Sequence, residues 1–268
     1  LAALDIALWD LYARSRGESL QAALGRPGAG ALPAYVSGLP EATRAARLEL
    51  AQSWQARGFD KVKIPVSHSD DGDIAGEFDS LRSGLGADQK IAVDVHWTCT
   101  ADQAIAMAES LRPFDPWFFE APVASEDIAA QHAVGKSIAC PLALGEEWRS
   151  EWDYRPRAGA AAIVQPEMGH TGVTQFARIA ARARKDGAQV IPHATIGLGL
   201  FANASLRAGL AAGAEAHEFQ HTIYPANAAL LDGAADCENG AFRIPDSAGH
   251  GTIPNAAGMA HLKPLLSL

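Results

Sequence analysis

Eight short apolar runs recur along the chain, each closing on polar residues and separated by alanine-rich stretches with helical spacing. They are "AYVSG" (34–38), "KVKIP" (61–65), "IAVDVHW" (91–97), "WFFEAP" (117–122), "LALGEE" (142–147), "AIVQPE" (162–167), "QVIPHA" (189–194) and "AHEFQH" (216–221). Amphipathic stretches such as 41–58, 100–113 and 172–187 lie between them. Strand and helix in alternation imply parallel strands with right-handed crossovers. Eight such units predict an α/β fold closed into a TIM-like barrel. A doubly wound open sheet is the weaker alternative, because no strand is followed by a glycine-rich phosphate turn. "GLGLFANAS" (197–205) lacks the GxGxxG spacing and comes late in the chain.

Residues 1–31 read as a helix and a joint leading into the barrel. Apolar positions at Leu1, Leu4, Ile6, Leu8, Trp9 and Leu11 keep near-helical spacing, and Gly17 ends them. Residues 32–222 carry the barrel. Residues 223–268 are rich in glycine and proline and read as a tail, because no helix of the same pattern follows the eighth run.

With 48% hydrophobic and 20% charged residues, the 268-residue chain has ordinary globular composition. A net charge of −9 without a basic run argues against nucleic acid and anionic membrane as partners. An acidic substrate would then need a local positive site, either a metal or a lysine pair. No apolar run reaches the roughly 18 residues of a membrane span. Cys99, Cys140 and Cys237 match no zinc or redox spacing and read as reduced thiols of a cytoplasmic protein. The chain begins inside a helix and without methionine, so further residues are expected before it.

Ionisable residues close seven of the runs: Lys63, Asp94, Glu120, Glu146, Glu167, His193 and Glu218, at intervals of 31, 26, 26, 21, 26 and 25 residues. One strand-plus-helix unit takes about that much chain, so each residue falls at the C-terminal end of a successive strand. On a barrel these ends converge on one mouth, where barrel enzymes keep their chemistry. Three carboxylates converging there, Asp94, Glu120 and Glu146, would resist ionisation together. A hard divalent cation relieves this, and Mg²⁺ suits one to three carboxylates with its other positions left to water or substrate oxygens. Such a cation can bind a substrate carboxylate and stabilise the enolate formed when the α-proton leaves.

"KVKIP" supplies a candidate base. Lys61 and Lys63 share a strand face. A neighbouring ammonium lowers a lysine pKa, which would make Lys61 the tuner and Lys63 the base. His193, paired with Glu167, is a second acid–base group. Glu218 is placed to hydrogen-bond a substrate oxygen.

These motifs resemble the enolase superfamily, in its mandelate racemase branch with the acid-sugar dehydratases. The resemblance runs from "ALDIALWDLYARSRGESLQAALG" (3–25) through "HEFQH" (217–221). It implies a (β/α)7β barrel and a separate α+β capping domain, of which only the tail portion is expected in this chain. It implies Mg²⁺ on Asp94, Glu120 and Glu146, with Lys63 and the His193–Glu167 pair as the two general acid/bases. Two positions depart from the branch. Its dyad acid is usually aspartate, where this chain has Glu167. The position two after the first metal ligand is often asparagine, where this chain has His96. Strand alternation turns His96 toward the mouth, as a substrate-binding residue or an added acid. The expected activity is dehydration of an aldonate or aldarate to a 2-keto-3-deoxy acid. Racemisation or epimerisation of a 2-hydroxy acid and a non-catalytic ligand-binding barrel are the alternatives. A small carboxylate is the expected partner, and a homo-oligomer the expected assembly.

Overall fold

A computed structural model describes residues 1–69, 72–194 and 199–262 of the chain. The start of "GLGLFANAS" (197–198) and the end of the tail (263–268) lie outside the described residues. Helices α1 (Ala2–Ser15) and α2 (Leu20–Ala23) lead into β1 (Gly30–Ser37). Then follow α3 (Arg44–Ala56), β2 (Lys61–Pro65), α4 (Ile74–Leu85), β3 (Lys90–Asp94), α5 (Ala101–Leu111), β4 (Phe119–Glu120) and α6 (Ile128–Ser137). The alternation continues with β5 (Leu142–Leu144), α7 (Glu151–Tyr154), β6 (Ile163–Val164), α8 (Met168–Lys185), β7 (Gln189–Val190), α9 (Leu200–Ala212) and β8 (His217–Phe219).

The strands pair in parallel from β1 to β7, and β8 lies parallel to β1. Backbone bonds from Glu215 N to Val190 O and from Glu218 N to Pro192 O join β7 to β8 and close the ring. Directly after β8 comes the short α10 (Tyr224–Ala228) in place of an eighth barrel helix, so the fold is the expected (β/α)7β barrel. Each expected strand is present, but several ladders are shorter than their apolar runs. "IAVDVHW" stops pairing at Asp94, because His96 and Trp97 take left-handed backbone angles, φ 54° and 59°.

Local sequence fixes the helix starts. Thr43, Asp73 and Asp127 cap α3, α4 and α6, and Thr100 with Gln103 forms a capping box on α5. In α8 the helix breaks at Gly172 (φ 63°), whose missing Cβ leaves room for the Asp5 carboxylate of α1. Asp5 accepts from Thr174 N at 2.8 Å and from Thr174 Oγ1 at 2.6 Å, restarting the helix and docking α1 on it.

Outward strand residues such as Val62, Ile91, Leu142 and Val164 pack under the helices. Tyr35, Ala92, Phe118, Ala143, Ile163, Ile191 and Ala216 form a second cluster, in the barrel interior. The tail adds β9 (Leu231–Asp232), β10 (Asp236–Glu238), β11 (Ala241–Ile244), β12 (Ile253–Pro254) and α11 (Ala256–His261). β11 pairs antiparallel with the first half of β1. The buried Arg207 of α9 ties the tail down by donating to Pro245 O, Ser247 Oγ and His250 O.

Candidate active site

Strand register decides what reaches the mouth. Asp94 on β3 stands opposite Glu120 on β4 and, on its other side, opposite Pro65 on β2. Lys63 pairs instead with Ala92, one inward step deeper. Its ammonium is enclosed, with the residue 2% exposed, and lies 2.7 Å from Glu120 Oε1, 3.1 Å from Glu218 Oε1 and 3.8 Å from Asp94 Oδ2. Burial alone would lower its pKa. Glu120 and Glu218, followed by Tyr35 and Asp94, outweigh burial and raise the pKa well above the ordinary lysine value.

This corrects the expected tuning of Lys63 by Lys61. Lys61 Nζ is tied to Asp60 Oδ1 at 2.5 Å, so the charge acting on Lys63 is carboxylate rather than ammonium. Lys63 bridges the acids of β4 and β8. Glu120 and Lys63 pull in opposite directions. Burial pushes Glu120 up to about 8 against the lysine, with help from Asp94, Glu218 and Glu146. The 2.7 Å contact within a crowded acid cluster supports a charged Lys63.

Glu146 follows a bend at Gly145 (φ 125°), where a Cβ would strike the Trp148 ring at 2.8 Å. One of its oxygens, Oε2, is buried without a hydrogen bond, with His193 Nε2 at 3.4 Å. His193 also faces Glu218 Oε2 at 3.5 Å through Nε2 and Glu167 Oε2 at 3.5 Å through Nδ1. Glutamate thus stands at the expected acid position, but the buried His193 Nδ1 makes no hydrogen bond to it. Burial lowers the His193 pKa, but Glu218, Glu167 and Glu146 carry it up to about 10. Burial would raise Glu218, yet Lys63, then His193, Ser37 and the Ala194 backbone N–H bring it down to about 2. His96 is 65% exposed in its side chain, beside the mouth, with Nδ1 3.9 Å from Asp94 Oδ2.

A divalent cation fits this donor set. Ligand atoms of Glu120, Glu146 and His193 lie within 4.8 Å of one another. The unbonded Glu146 oxygen and the raised Glu120 both mark a cluster short of positive charge. Asp94 stands at the same mouth but outside that trio, and its Oδ1 accepts from the His96 backbone N–H at 3.0 Å.

Uncharged amides and two further histidines surround these groups. Gln165, on the segment leaving β6, donates to Glu120 Oε2 at 2.9 Å. Gln220 donates to Glu218 Oε1 at 3.1 Å. His217 points away from the mouth to Ser205 of α9 at 2.8 Å, and His221 bonds Gly38 O at 2.9 Å.

Residues 46–257 match the family described as "Enolase C-terminal domain-like". The chain belongs to the enolase superfamily. A solved structure of a putative isomerase from Sinorhizobium meliloti superposes with a TM-score of 0.94 at 46% identity, over 97% of this chain and 69% of that one. The D-galactarolactone cycloisomerase of Agrobacterium fabrum is 28% identical over 94% of this chain and 70% of its own length. The D-galactonate dehydratase of Ralstonia pickettii is 28% identical over 74% of this chain and 54% of its own. Among enolase-superfamily chains this one thus sits near enzymes named for acid-sugar substrates. Among the described residues, no helix is long and apolar enough to cross a membrane.

Proposed function

We propose that this enolase-superfamily chain is a Mg²⁺-dependent hydro-lyase acting on a polyhydroxylated acid, an aldonate or aldarate, and releasing a 2-keto-3-deoxy acid. The carrying observation is His193, facing Glu167 at 3.5 Å and aimed at an acid cluster with a buried carboxylate oxygen left unbonded. Asp94, Glu120 and Glu146 would hold the cation. When bound, it would draw neighbouring pKa values down and steady the negative charge that builds on the substrate carboxylate.

As found, His193 is held protonated by Glu218, Glu167 and Glu146; with the cation bound, its pKa would fall, and the neutral imidazole would take the α-proton as the C–H electrons move into the enolate. Glu167 orients the imidazole and offsets the charge it gains. The C3–O bond then breaks, and a group at the rim protonates the leaving hydroxide as water. His96, exposed beside Asp94, suits that role. The resulting enol becomes the 2-keto acid. Glu218, kept ionised by Lys63, accepts from a substrate hydroxyl. Lys63 acts as fixed charge, joining Glu120 to Glu218. A two-base racemase is the weaker reading, because Lys63, the candidate second base, is enclosed by Glu120 and Glu218, which raise its pKa.

A cycloisomerase is the second reading, favoured by the relative of that name. There the leaving oxygen stays within the molecule, so the product is isomeric with the substrate instead of lighter by one water. The test is a panel of aldonates, aldarates and their lactones with Mg²⁺, read by mass spectrometry and 2-keto-acid formation. Loss of water with keto-acid formation is expected. Isomeric product supports the second reading, and no turnover of any acid sugar counts against both. Reduced thiols suit a cytoplasmic setting, and self-association is proposed for the assembly.

A further inference from the structure

Gln165 is the neutral member of the charged cluster. It is 1% exposed, on the segment between β6 and α8 that also carries Glu167. Its amide Nε2 donates to Glu120 Oε2 at 2.9 Å, while Lys63 occupies Glu120 Oε1 at 2.7 Å. The two bonds fix both carboxylate oxygens of Glu120, and hence the plane in which their remaining lone pairs point. The other half of the amide, Oε1, is buried without any hydrogen-bond donor. A buried amide oxygen left unbonded is destabilising, so it is a poor choice for packing alone. An apolar side chain of the same size would fill the space without that cost.

We infer that Gln165 is a positioning residue for the divalent cation: its N–H₂ orients Glu120 as a ligand, and its carbonyl receives a donor that arrives with the ion. Coordinated water is that donor's chemistry, because Mg²⁺ retains several waters when bound through carboxylates. Groups that orient ligands in this way are typically worth about 10–100-fold in metal affinity. The inference rests on the proposed metal site, and the test separates the two.

Mg²⁺ is titrated calorimetrically into the unsubstituted chain and into Gln165→Met, which keeps the volume and loses both arms of the amide. Binding by the first, about 10–100-fold weaker in the second, is the expected result. The metal-free melting temperature of Gln165→Met reflects two opposed changes, the lost bond to Glu120 Oε2 and the removal of the unbonded Oε1, while the rise on adding Mg²⁺ should shrink. A role in packing alone would instead leave affinity and that rise intact. Equal affinity in both proteins overturns the role given to Gln165 and leaves the metal site standing. No binding by the unsubstituted chain removes the metal site itself. Should Gln165→Met not fold, Gln165→Asn, too short to reach Glu120, is read in the same way. Independently, the side-chain amide ¹⁵N signal of Gln165 should shift on Mg²⁺ addition in the unsubstituted chain. An unmoved signal overturns the inference.

Discussion

Two buried charge clusters in this molecule are built on opposite terms. Between α3 and α4, Arg47 meets Glu77 in a fork, Nε to Oε1 at 2.7 Å and Nη2 to Oε2 at 2.8 Å, and donates again to Glu41 O at 2.9 Å. Arg44 adds a contact to the same carboxylate at 3.3 Å. Cation and acid match, and both carboxylate oxygens are bonded. At the barrel mouth, Asp94, Glu120, Glu146, Glu167 and Glu218 gather around Lys63 and His193, with Glu146 Oε2 and Gln165 Oε1 left unbonded. The first cluster is complete as folded, and the second keeps more acids than cations, with His193 Nδ1 also left without a hydrogen bond. Burial alone therefore does not separate a structural ion pair from a reactive site; an imbalance of charge and unused polar atoms does.

Substitutions should split along that line. His193→Asn should lower turnover by about 10²–10⁴-fold and should abolish α-hydrogen exchange in D₂O. His96→Asn should keep the exchange and lose dehydration. Exchange lost in His96→Asn and kept in His193→Asn would reverse the two roles.

Arg47→Met should do the opposite. An uncompensated Glu77 left in a buried site costs about 3–5 kcal/mol by denaturant unfolding, while Mg²⁺ affinity stays unchanged. A stable Arg47→Met that no longer binds Mg²⁺ would break the distinction between the two clusters.

His217 sharpens the comparison, because it adjoins Glu218 in sequence yet lies on the satisfied side. Ser205 Oγ lies 2.8 Å from its Nε2, and burial holds its pKa down to about 4. The unfolded chain binds this proton near pH 6.5 and the folded chain only near 4, so the unfolded state gains as pH falls between those values. The depressed pKa should therefore cost about 3 kcal/mol as pH drops from 6.5 to 4, and nothing further below that. His217→Gln should lose less stability across this window by that amount. Parallel stability curves for the two proteins would count against the assignment.

The sequence periods carried a good part of this. "KVKIP" is β2 to the residue, and the ionisable residues at strand ends meet at one mouth because strand and helix lengths are local properties. Height within the barrel is not local. Whether Lys63 or Pro65 stands level with Asp94 depends on how β2 slides against β3, and a two-residue step turns an exposed base into an enclosed bridge. The sign of the Lys63 shift was missed for the same reason, since its neighbours come from β3, β4 and β8 rather than from Lys61. Gln165 went unseen because a neutral side chain leaves no trace in a pattern of charges. The exposed placing of His96 follows from its left-handed backbone, for which strand alternation gives no signal.

The most direct measurement is calorimetric Mg²⁺ binding to the unsubstituted chain, to Glu146→Gln and to Arg47→Met. A charge-deficient mouth and a complete α3–α4 cluster predict binding at one site that is lost in Glu146→Gln and retained in Arg47→Met. Absence of binding to the unsubstituted chain, or equal binding to Glu146→Gln, would contradict it.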